Sequence, residues 1–384
     1  MIKSRKKLPV YVIILIDAGL IALFFGLFIT FEYFIPKVSS DQGSVVLSSD
    51  DIDTTFKLPA DSSEKEKAAA KQTDPDESQS SDNNSSKDTS KQSKAAASGS
   101  NSKSSKKSRS GSSTGSGSKS NENTEVLKSN TDQARSTENS NITSKEIKSY
   151  KSDNAQITVY EKTLTASSGN VVYYVADCYV TSAAEIKTYL AENTYGTNIK
   201  DSIENMDKAT GSVLSINGDF YGNSESGVVI RNGKEYRSNN TNADICVLFK
   251  DGSMKTYSPS QYNAQEVIKQ GAWQAWCFGP SLLDANGNVP ESYNTTSFIN
   301  KTNPRTAIGY IEPGHYIFVV VDGRDADHSV GVTLSELSSI MKYEGCKTAY
   351  NLDGGNSSVM TFKGELVNQP SKDGRDISDI VYIA

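Results

Sequence analysis

Residues 39–144 constrain the fold of this chain most strongly, because they contain few apolar side chains. Residues 100–109 and 111–118, for example, consist almost entirely of serine, glycine, asparagine, lysine and other polar types. Such a segment cannot bury enough apolar surface to offset the entropy lost on ordering its backbone. We therefore predict a disordered linker over residues 39–144. The folded core is then confined to residues 150–384, a length that suits one large domain.

The N-terminal segment combines a basic flank with a long apolar run. Residues 1–7 contain four Lys and Arg residues, and the mainly apolar residues 8–35 exceed the ~20 needed to span a bilayer. No small-residue cleavage site follows the run, so we predict a basic cytoplasmic tail, residues 1–7, and an uncleaved transmembrane signal anchor, residues 8–35. Positive flanking charge stays in the cytoplasm, which predicts a single-pass protein of the cell membrane with residues 150–384 outside the cell.

Charge and cysteine content narrow the function of the folded part. Residues 151–384 contain 19 Lys and Arg against 27 Asp and Glu, a net charge of −8, so no nucleic-acid partner is expected. The chain has only two histidines, which excludes a histidine metal cluster. The cysteines lie mostly in apolar surroundings without a CxxC pair, which favours buried free thiols over disulfides. They are Cys178, Cys246, Cys277 and Cys346.

Short β-branched and aromatic segments predict an α+β fold, with a mixed or mostly antiparallel sheet and a few helices. The predicted strands are residues 157–164, 171–180, 213–216, 307–310, 316–321, 349–352, 359–362, 365–367 and 380–383. Capping boxes that begin at Ser182 and Thr333 predict helices over residues 182–192 and 333–345, and a further helix is predicted over residues 199–206. Asn232-Gly233 and Asp251-Gly252 predict hairpin turns.

Polar clusters containing Asp, Asn, Arg and Gly lie at the ends of several predicted strands. Glycine lets the backbone approach a ligand, and carboxylates there can bind metals or transfer protons. An Asp-Gly pair alone is usually a turn, but four such clusters favour one convergent site. The clusters are Asn217-Gly218-Asp219, Asn303-Pro304-Arg305, Asp322-Gly323-Arg324 and Asn351-Leu352-Asp353-Gly354-Gly355-Asn356-Ser357.

These motifs, together with Phe278-Gly279-Pro280 and residues 331–337, resemble the phosphodiester glycosidase domain family. That family includes N-acetylglucosamine-1-phosphodiester α-N-acetylglucosaminidase and bacterial proteins connected with exopolysaccharide biosynthesis. The resemblance covers most of residues 155–384, with the motifs in the family's order. This sequence has Asp219 and Asn356 where the family commonly has glycine, so the sugar specificity does not carry over.

The resemblance implies hydrolysis of a sugar-1-phosphodiester to free sugar and a phosphomonoester, without a cofactor. Asp219, Asp322 and Asp353 are then the candidate acid, base or nucleophile. Arg305 and Arg324 would bind the phosphate, because a guanidinium matches it bidentately. The remaining candidates would contact phosphate oxygens or sugar hydroxyls, or, for Asn217 and Asn351, fix the loops. They are Asn217, Asn351, Gly354, Gly355, Asn356 and Ser357. The expected partners are a phosphorylated glycan or cell-wall polymer and, through residues 8–35, the membrane.

Two alternatives remain open. A domain without catalytic activity could bind carbohydrate in the cell wall. Alternatively, carboxylates near the predicted site could bind calcium, which prefers hard oxygen ligands. The five acidic residues concerned are Asp219, Asp322, Asp325, Asp327 and Asp353.

Overall fold

A computed structural model describes residues 9–40, 43–59, 142–166 and 169–384. The four α-helices in these ranges are α1 (Val10–Tyr33), α2 (Ile203–Thr210), α3 (Ala264–Lys269) and α4 (Leu334–Tyr343). The strands are β1 (Lys37–Val38), β2 (Ser44–Val45), β3 (Ile142–Lys151), β4 (Ala155–Ala166), β5 (Gly169–Val180), β6 (Lys187–Leu190), β7 (Gly196–Thr197), β8 (Leu214–Asn217), β9 (Val228–Arg231), β10 (Lys234–Ser238), β11 (Ile245–Phe249), β12 (Met254–Tyr257), β13 (Ala272–Trp276), β14 (Arg305–Glu312), β15 (His315–Val321), β16 (Thr348–Asn351), β17 (Met360–Phe362), β18 (Glu365–Leu366) and β19 (Asp379–Ile383).

The strands form three larger sheets and one short pair, β1–β7. The strand orders are β12-β11-β13-β9-β10-β2, β16-β14-β15-β5-β4-β3 and β18-β17-β8-β19-β6. One apolar core contains side chains from all three sheets, including Trp276, Phe318 and Ile216. The predicted α+β fold with mostly antiparallel sheets and few helices is confirmed.

Local turn and capping signals predict most of the elements correctly. Asn232 and Gly233 both have positive φ between β9 and β10, and Gly211 ends α2 in the left-handed region. Thr333 and Glu336 form the predicted capping box of α4. All four cysteines are free, which confirms the prediction of free thiols.

The predicted helix over residues 182–192 is wrong. Ser182 caps only a three-residue 3₁₀-helix, Ala183–Glu185, and the chain then enters β6. β6 pairs antiparallel with β19, and its burial alternates so that Thr188 and Leu190 face the interior. Pairing with a sheet edge therefore overrides the local helix-start signal.

Helix α1 is long and apolar enough to cross a membrane. Over Ile14–Tyr33 its mean hydropathy is 2.4, and none of these residues is buried against the rest of the protein. A signal sequence has the same features. The predicted basic tail, residues 1–7, lies outside the described ranges.

Folded structure extends into both ends of the predicted linker. Residues 43–59 lie against the C-terminal domain because β2 pairs with β10 and Leu47 is buried. At the other end, β3 begins at Ile142. Residues 60–141 lie outside the described ranges, so their predicted disorder stays a prediction.

Candidate active site

Three loops meet at one edge of the domain. Strands β15 and β16 both pair antiparallel with β14. Their last residues, Val321 and Asn351, therefore lie at the same edge of that sheet. The loop after β8 joins them from the neighbouring sheet, and the backbone N–H of Asp353 donates to the carbonyl of Gly218 at 3.2 Å. The structure thus brings together the three Asp-Gly clusters that sequence reasoning selected.

Asn217 ties these loops to their strands. Its side-chain amide donates to the carbonyl of Asp353 at 2.7 Å, and its carbonyl oxygen accepts hydrogen bonds from the Thr306 hydroxyl and the Val359 N–H. Asn217 is fully buried. Its contacts therefore support the interpretation that it fixes the loops, which was one of its two predicted roles.

Asp353 is paired with Arg375. Arg375 Nη2 lies 2.7 Å from Asp353 Oδ2, and Arg375 Nε donates to the Ser357 hydroxyl at 2.5 Å. Burial raises the pKa of Asp353, while Arg375 and Ser357 limit the rise. The carboxylate is 9% exposed and the arginine 42% exposed, so the pair connects the interior with the surface.

Asp322 is the second carboxylate with an altered proton affinity. Its Oδ2 lies 2.8 Å from Nε2 of His328, and its Oδ1 accepts from the Asn368 amide at 2.8 Å. The backbone N–H of Gln369 also donates to this carboxylate. Burial raises the pKa of Asp322, and these hydrogen bonds oppose the rise. Asp322 thus contacts His328, while Arg324, two residues further along the chain, contacts Asn356.

The two predicted phosphate-binding arginines have different surroundings. Arg324 is exposed, and its two terminal nitrogens donate to Asn356 Oδ1 at 2.7 Å and Asn303 Oδ1 at 2.9 Å. Arg305 is 3% exposed and donates to three backbone carbonyls, those of Ile299, Lys301 and Val332. Through these contacts Arg305 stabilises the loop that precedes β14. They favour Arg324 as the phosphate-binding residue.

Asp219 lies beneath the loops, in a buried charge network that we call the Arg231 triad, Asp219–Arg231–Asp379. Arg231 contacts Asp219 at 2.7 Å and Asp379 at 2.8 Å, and the second oxygen of Asp219 accepts from the Cys277 N–H at 2.7 Å. Burial raises the pKa of Asp379 to about 6. Both carboxylate oxygens of Asp219 accept hydrogen bonds from buried donors. Asp219 therefore stabilises the structure beneath the loops.

Three other predicted binding residues are one buried asparagine and two glycines of the Asp353 loop. Asn351 is buried and its amide donates to the Gly279 carbonyl at 2.8 Å. Gly355 has φ of +67°, and a Cβ built there would approach Arg324 Nη2 to 3.0 Å. Gly354 closely approaches the Pro304 carbonyl. Glycine at 354 and 355 thus allows the loop to pass closely beneath the arginine.

The aromatic side chain at the site is Phe220, which sequence reasoning did not select. It has φ of +58°, and its ring lies 4.9 Å from the Arg375 guanidinium and 5.0 Å from the Lys200 ammonium. Trp273, Trp276 and Tyr221, by contrast, are at most 3% exposed and belong to the interior.

The carboxylates of the site face hydrogen-bond donors and cations of the protein. Asp353 contacts Arg375 and Asp322 contacts His328. Within the described ranges, no three Asp, Glu, His or Cys side chains are grouped as they would be to bind a metal. The calcium alternative stays a prediction for a chelation experiment.

Arg375, Arg231 and Asp379 are the main residues that sequence reasoning missed. A signal for Arg375 was present, because Asp373-Gly374-Arg375 repeats the tripeptide Asp322-Gly323-Arg324. Arg231 and Asp379 occupy ends of the ordinary apolar strands β9 and β19, and only burial distinguishes them from surface charges.

Comparison with known proteins shows what the C-terminal part of the chain is similar to. The family model described as "Phosphodiester glycosidase" matches residues 210–384. The SPbeta prophage-derived uncharacterized protein YomE of Bacillus subtilis is 33% identical over 183 residues, which is 46% of this chain and 28% of that protein. Mouse N-acetylglucosamine-1-phosphodiester alpha-N-acetylglucosaminidase is 30% identical over 86 residues, 22% of this chain and 16% of that protein.

Among solved structures, the catalytic domain of the zebrafish N-acetylglucosamine-1-phosphodiester alpha-N-acetylglucosaminidase aligns with a TM-score of 0.49 and 20% identity. The alignment covers 63% of this chain and 88% of that chain. The family model matches residues 210–384 and confirms, over that range, the resemblance drawn from the motifs. The chain spans less than a third of the length of the curated relatives it matches.

The Arg231 triad leads to a prediction about stability. Arg231→Met leaves Asp219 and Asp379 buried without their cation, so the free energy of unfolding at pH 7 should fall by about 3–5 kcal/mol. Near pH 5 the loss should be smaller, because Asp379, whose pKa is already about 6, then binds a proton and loses its buried charge. Denaturant unfolding at both pH values measures the difference.

Arg237→Met is the control, because Arg237 donates to the backbone carbonyls of Tyr221, Ser224 and Gly227. Its effect on stability should be nearly the same at the two pH values. An equal loss at pH 7 and pH 5 for Arg231→Met would contradict the charge-network interpretation.

Proposed function

We propose that the C-terminal domain hydrolyses a sugar-1-phosphodiester in a cell-envelope or exopolysaccharide glycan, releasing the free sugar and a phosphomonoester. The observation that carries this proposal is the Asp353–Arg375 pair together with an exposed Arg324 that contacts the same glycine-containing loop through Asn356. A carboxylate on that loop and two guanidiniums from neighbouring loops provide a reacting group and a place for a phosphate.

Arg324 and Arg375 are proposed to bind the phosphate. They contact neighbouring residues of the same loop, Arg324 through Asn356 and Arg375 through Ser357. The domain's net charge of −8 offers no diffuse attraction for an anionic substrate, so these local cations must provide it. Charge-assisted contacts that strengthen as the leaving phosphate gains charge stabilise the transition state.

Asp353 is proposed to act as base or nucleophile at the anomeric carbon. Its ion pair with Arg375 favours the ionised form despite burial. In the proposed reaction, the bond between the anomeric carbon and the phosphate oxygen breaks, and its electron pair leaves with the phosphate. The water oxygen forms the new bond to that carbon and its proton passes to a carboxylate. Since phosphate leaves easily, strong general acid catalysis is not required.

Asp322 and His328 form a second proton-transfer pair in this proposal. Asn368 connects the pair to the Asp353 loop, because its amide donates both to Asp322 at 2.8 Å and to the Ser358 carbonyl at 3.1 Å. A carboxylate bound to one imidazole nitrogen orients the ring. The pair is therefore suited to accept a proton from water or return one to product.

The site of action is proposed to be the outer surface of a membrane. Helix α1 has the length and composition of a membrane span, and the basic residues before it favour an N-terminus in the cytoplasm. A domain on the outer side would meet the phosphorylated glycans of the envelope.

Activity measurements on a synthetic sugar-1-phosphodiester test the assignment of residues. Asp353→Asn should reduce kcat/KM by about 10³-fold, and Arg324→Ala or Arg375→Met by about 10²-fold, with little change in Tm. Lys372→Ala removes a positive charge from the exposed part of the same loop as Arg375 and should leave the rate unchanged.

Arg305→Ala should instead lower Tm, because it removes the donors that hold the loop before β14. Once folded, that variant should retain substantial activity. Wild-type rates for Asp353→Asn or Arg375→Met would refute the proposed site, and saturable sugar-phosphate binding without hydrolysis by the wild type would favour the carbohydrate-binding alternative.

The pH profile gives an independent prediction. If ionised Asp353 is the reacting form, kcat/KM should decline on the acid side at a pH above the ordinary Asp pKa of about 3.9, because burial raises the pKa of Asp353. Arg375→Met removes the cation that limits this rise, so the acid limb should move to higher pH. The limb of Lys372→Ala should stay in place, and an unmoved limb in Arg375→Met would exclude Asp353 as the titrating group.

A further inference from the structure

The segment that follows α1 is attached to the C-terminal domain at three places. We call residues 37–40 and 43–57 the docking segment. It runs from the end of α1 along two sheet edges to the turns of two hairpins. Its contacts with the domain are more numerous than a flexible spacer needs, and they suggest a function for it.

The first attachment lies at the end of α1. The Asn198 amide donates to the backbone carbonyls of Glu32 at 3.2 Å and Ile35 at 3.4 Å. Directly after the helix, β1 pairs antiparallel with β7, and the Ser39 N–H donates to the Tyr195 carbonyl at 3.0 Å. The side chain of Asn198 therefore satisfies carbonyls that the helix end leaves without intrahelical partners.

The second attachment is the pairing of β2 with β10. After β2, the N–H groups of Val46 and Leu47 both donate to the carbonyl of Gly233, at 2.8 and 2.9 Å. Leu47 is 6% exposed and belongs to the largest apolar core of the domain. Gly233 lies so close to the Leu47 carbonyl that a Cβ there would overlap it. The hairpin between β9 and β10 is thus shaped to receive this segment.

The third attachment is Phe56. Its N–H donates to the Thr181 carbonyl at 2.7 Å, and its side chain lies against Gly252 and Gly314. These glycines are in the turns of the β11–β12 and β14–β15 hairpins, and a Cβ at either position would overlap Phe56. Because the two turns have no side chain at the contact, the ring of Phe56 packs directly against their backbones.

Between the first two attachments, the segment covers a cavity of about 590 Å³ lined by polar and tyrosine side chains, among them Tyr195 and Tyr236.

We infer that the docking segment fastens the C-terminal domain directly to the end of α1, so that residues 60–141 do not set the distance between the helix and the active site. Pro59 and the first residue of β3, Ile142, belong to the same folded unit. Cutting the chain between them should leave α1 and the domain associated through the β1–β7 and β2–β10 pairs, Leu47 and Phe56.

This inference has a consequence for the substrate, which rests on the proposed function and membrane position. A linker as long as residues 60–141 could extend on the order of 250 Å if it were the tether. A docked domain of this size instead stays within its own diameter of the membrane, on the order of 40–50 Å. Its substrates should then be sugar phosphodiesters close to the bilayer surface.

The test uses the full chain in membrane vesicles, with a site-specific protease sequence inserted between Gly99 and Ser100. After complete cleavage and sedimentation, the C-terminal fragment should remain in the pellet with α1. The double variant Leu47→Ala/Phe56→Ala should release the fragment into the supernatant. The matched control is Val38→Ala/Val45→Ala, which shortens two side chains of the same segment that are 66% and 72% exposed, and it should retain the fragment.

Release of the fragment from the cleaved parent protein would overturn the inference, as would its retention in the Leu47→Ala/Phe56→Ala variant. A second measurement does not depend on cleavage or on the membrane. In the uncut chain in detergent, the amide hydrogens of Val46, Leu47 and Phe56 should exchange slowly. Exchange at the rate of an unfolded peptide would also overturn the inference.

The two proposals can fail separately. If the uncut chain does not sediment with vesicles, the membrane position is wrong, while co-elution of the cleaved fragments in detergent still reports docking. If hydrolysis of the sugar phosphodiester is absent, the proposed function is wrong, and the sedimentation result is unaffected.

Discussion

The site depends on one buried amide, the side chain of Asn217. It donates to the Asp353 and Gly218 carbonyls and accepts from Thr306 and Val359, so all of its donors and acceptors are used, and the bonds to Asp353 and Thr306 join two sheets. A buried amide with every partner satisfied fixes position well, because losing any partner leaves a polar group desolvated. The orientation of the Asp353 loop, and therefore of Arg324 and Arg375 around it, follows from this junction.

Charge is divided between the interior and the surface of the site. Beneath the loops, the Arg231 triad holds two carboxylates on one guanidinium, and burial raises the pKa of Asp379 to about 6. At the surface, Arg324 and Arg375 provide positive charge to a domain that is acidic as a whole. This division explains why three aspartates can lie near a site proposed for an anion. Asp219 is paired with Arg231 beneath the loops, and Asp353 is paired with Arg375 beside it.

Much of the fold could be predicted from sequence because its signals are local. Turn dipeptides, strand alternation and the Thr333 capping box act over a few residues, and the structure has the elements they predict. The helix predicted from Ser182 failed because pairing with β19, almost two hundred residues later, determined that segment. The docking segment was assigned to the linker for the same reason, since its polar composition gave no indication of the sheet edges that receive it.

The site could be predicted less completely than the fold. Motif position identified the three loops that meet, but it could not show where each side chain points. Arg305 precedes an apolar strand as a phosphate-binding residue would, yet its guanidinium faces backbone carbonyls. His328 follows Asp325 and Asp327 in a polar stretch that gives no indication of a role, yet it contacts Asp322. Arg375 lies more than twenty residues from its partner Asp353, a separation that no local pattern connects.

The central claim is that the domain breaks the bond between the anomeric carbon and the phosphate oxygen. Hydrolysis of a sugar-1-phosphodiester in water enriched in ¹⁸O tests this most directly, with the phosphomonoester analysed by mass spectrometry. If the carbon–oxygen bond breaks, the bridging oxygen stays with phosphorus and the phosphomonoester contains no ¹⁸O from solvent. One solvent ¹⁸O in the phosphomonoester would show attack at phosphorus and would contradict the assignment as a glycosidase.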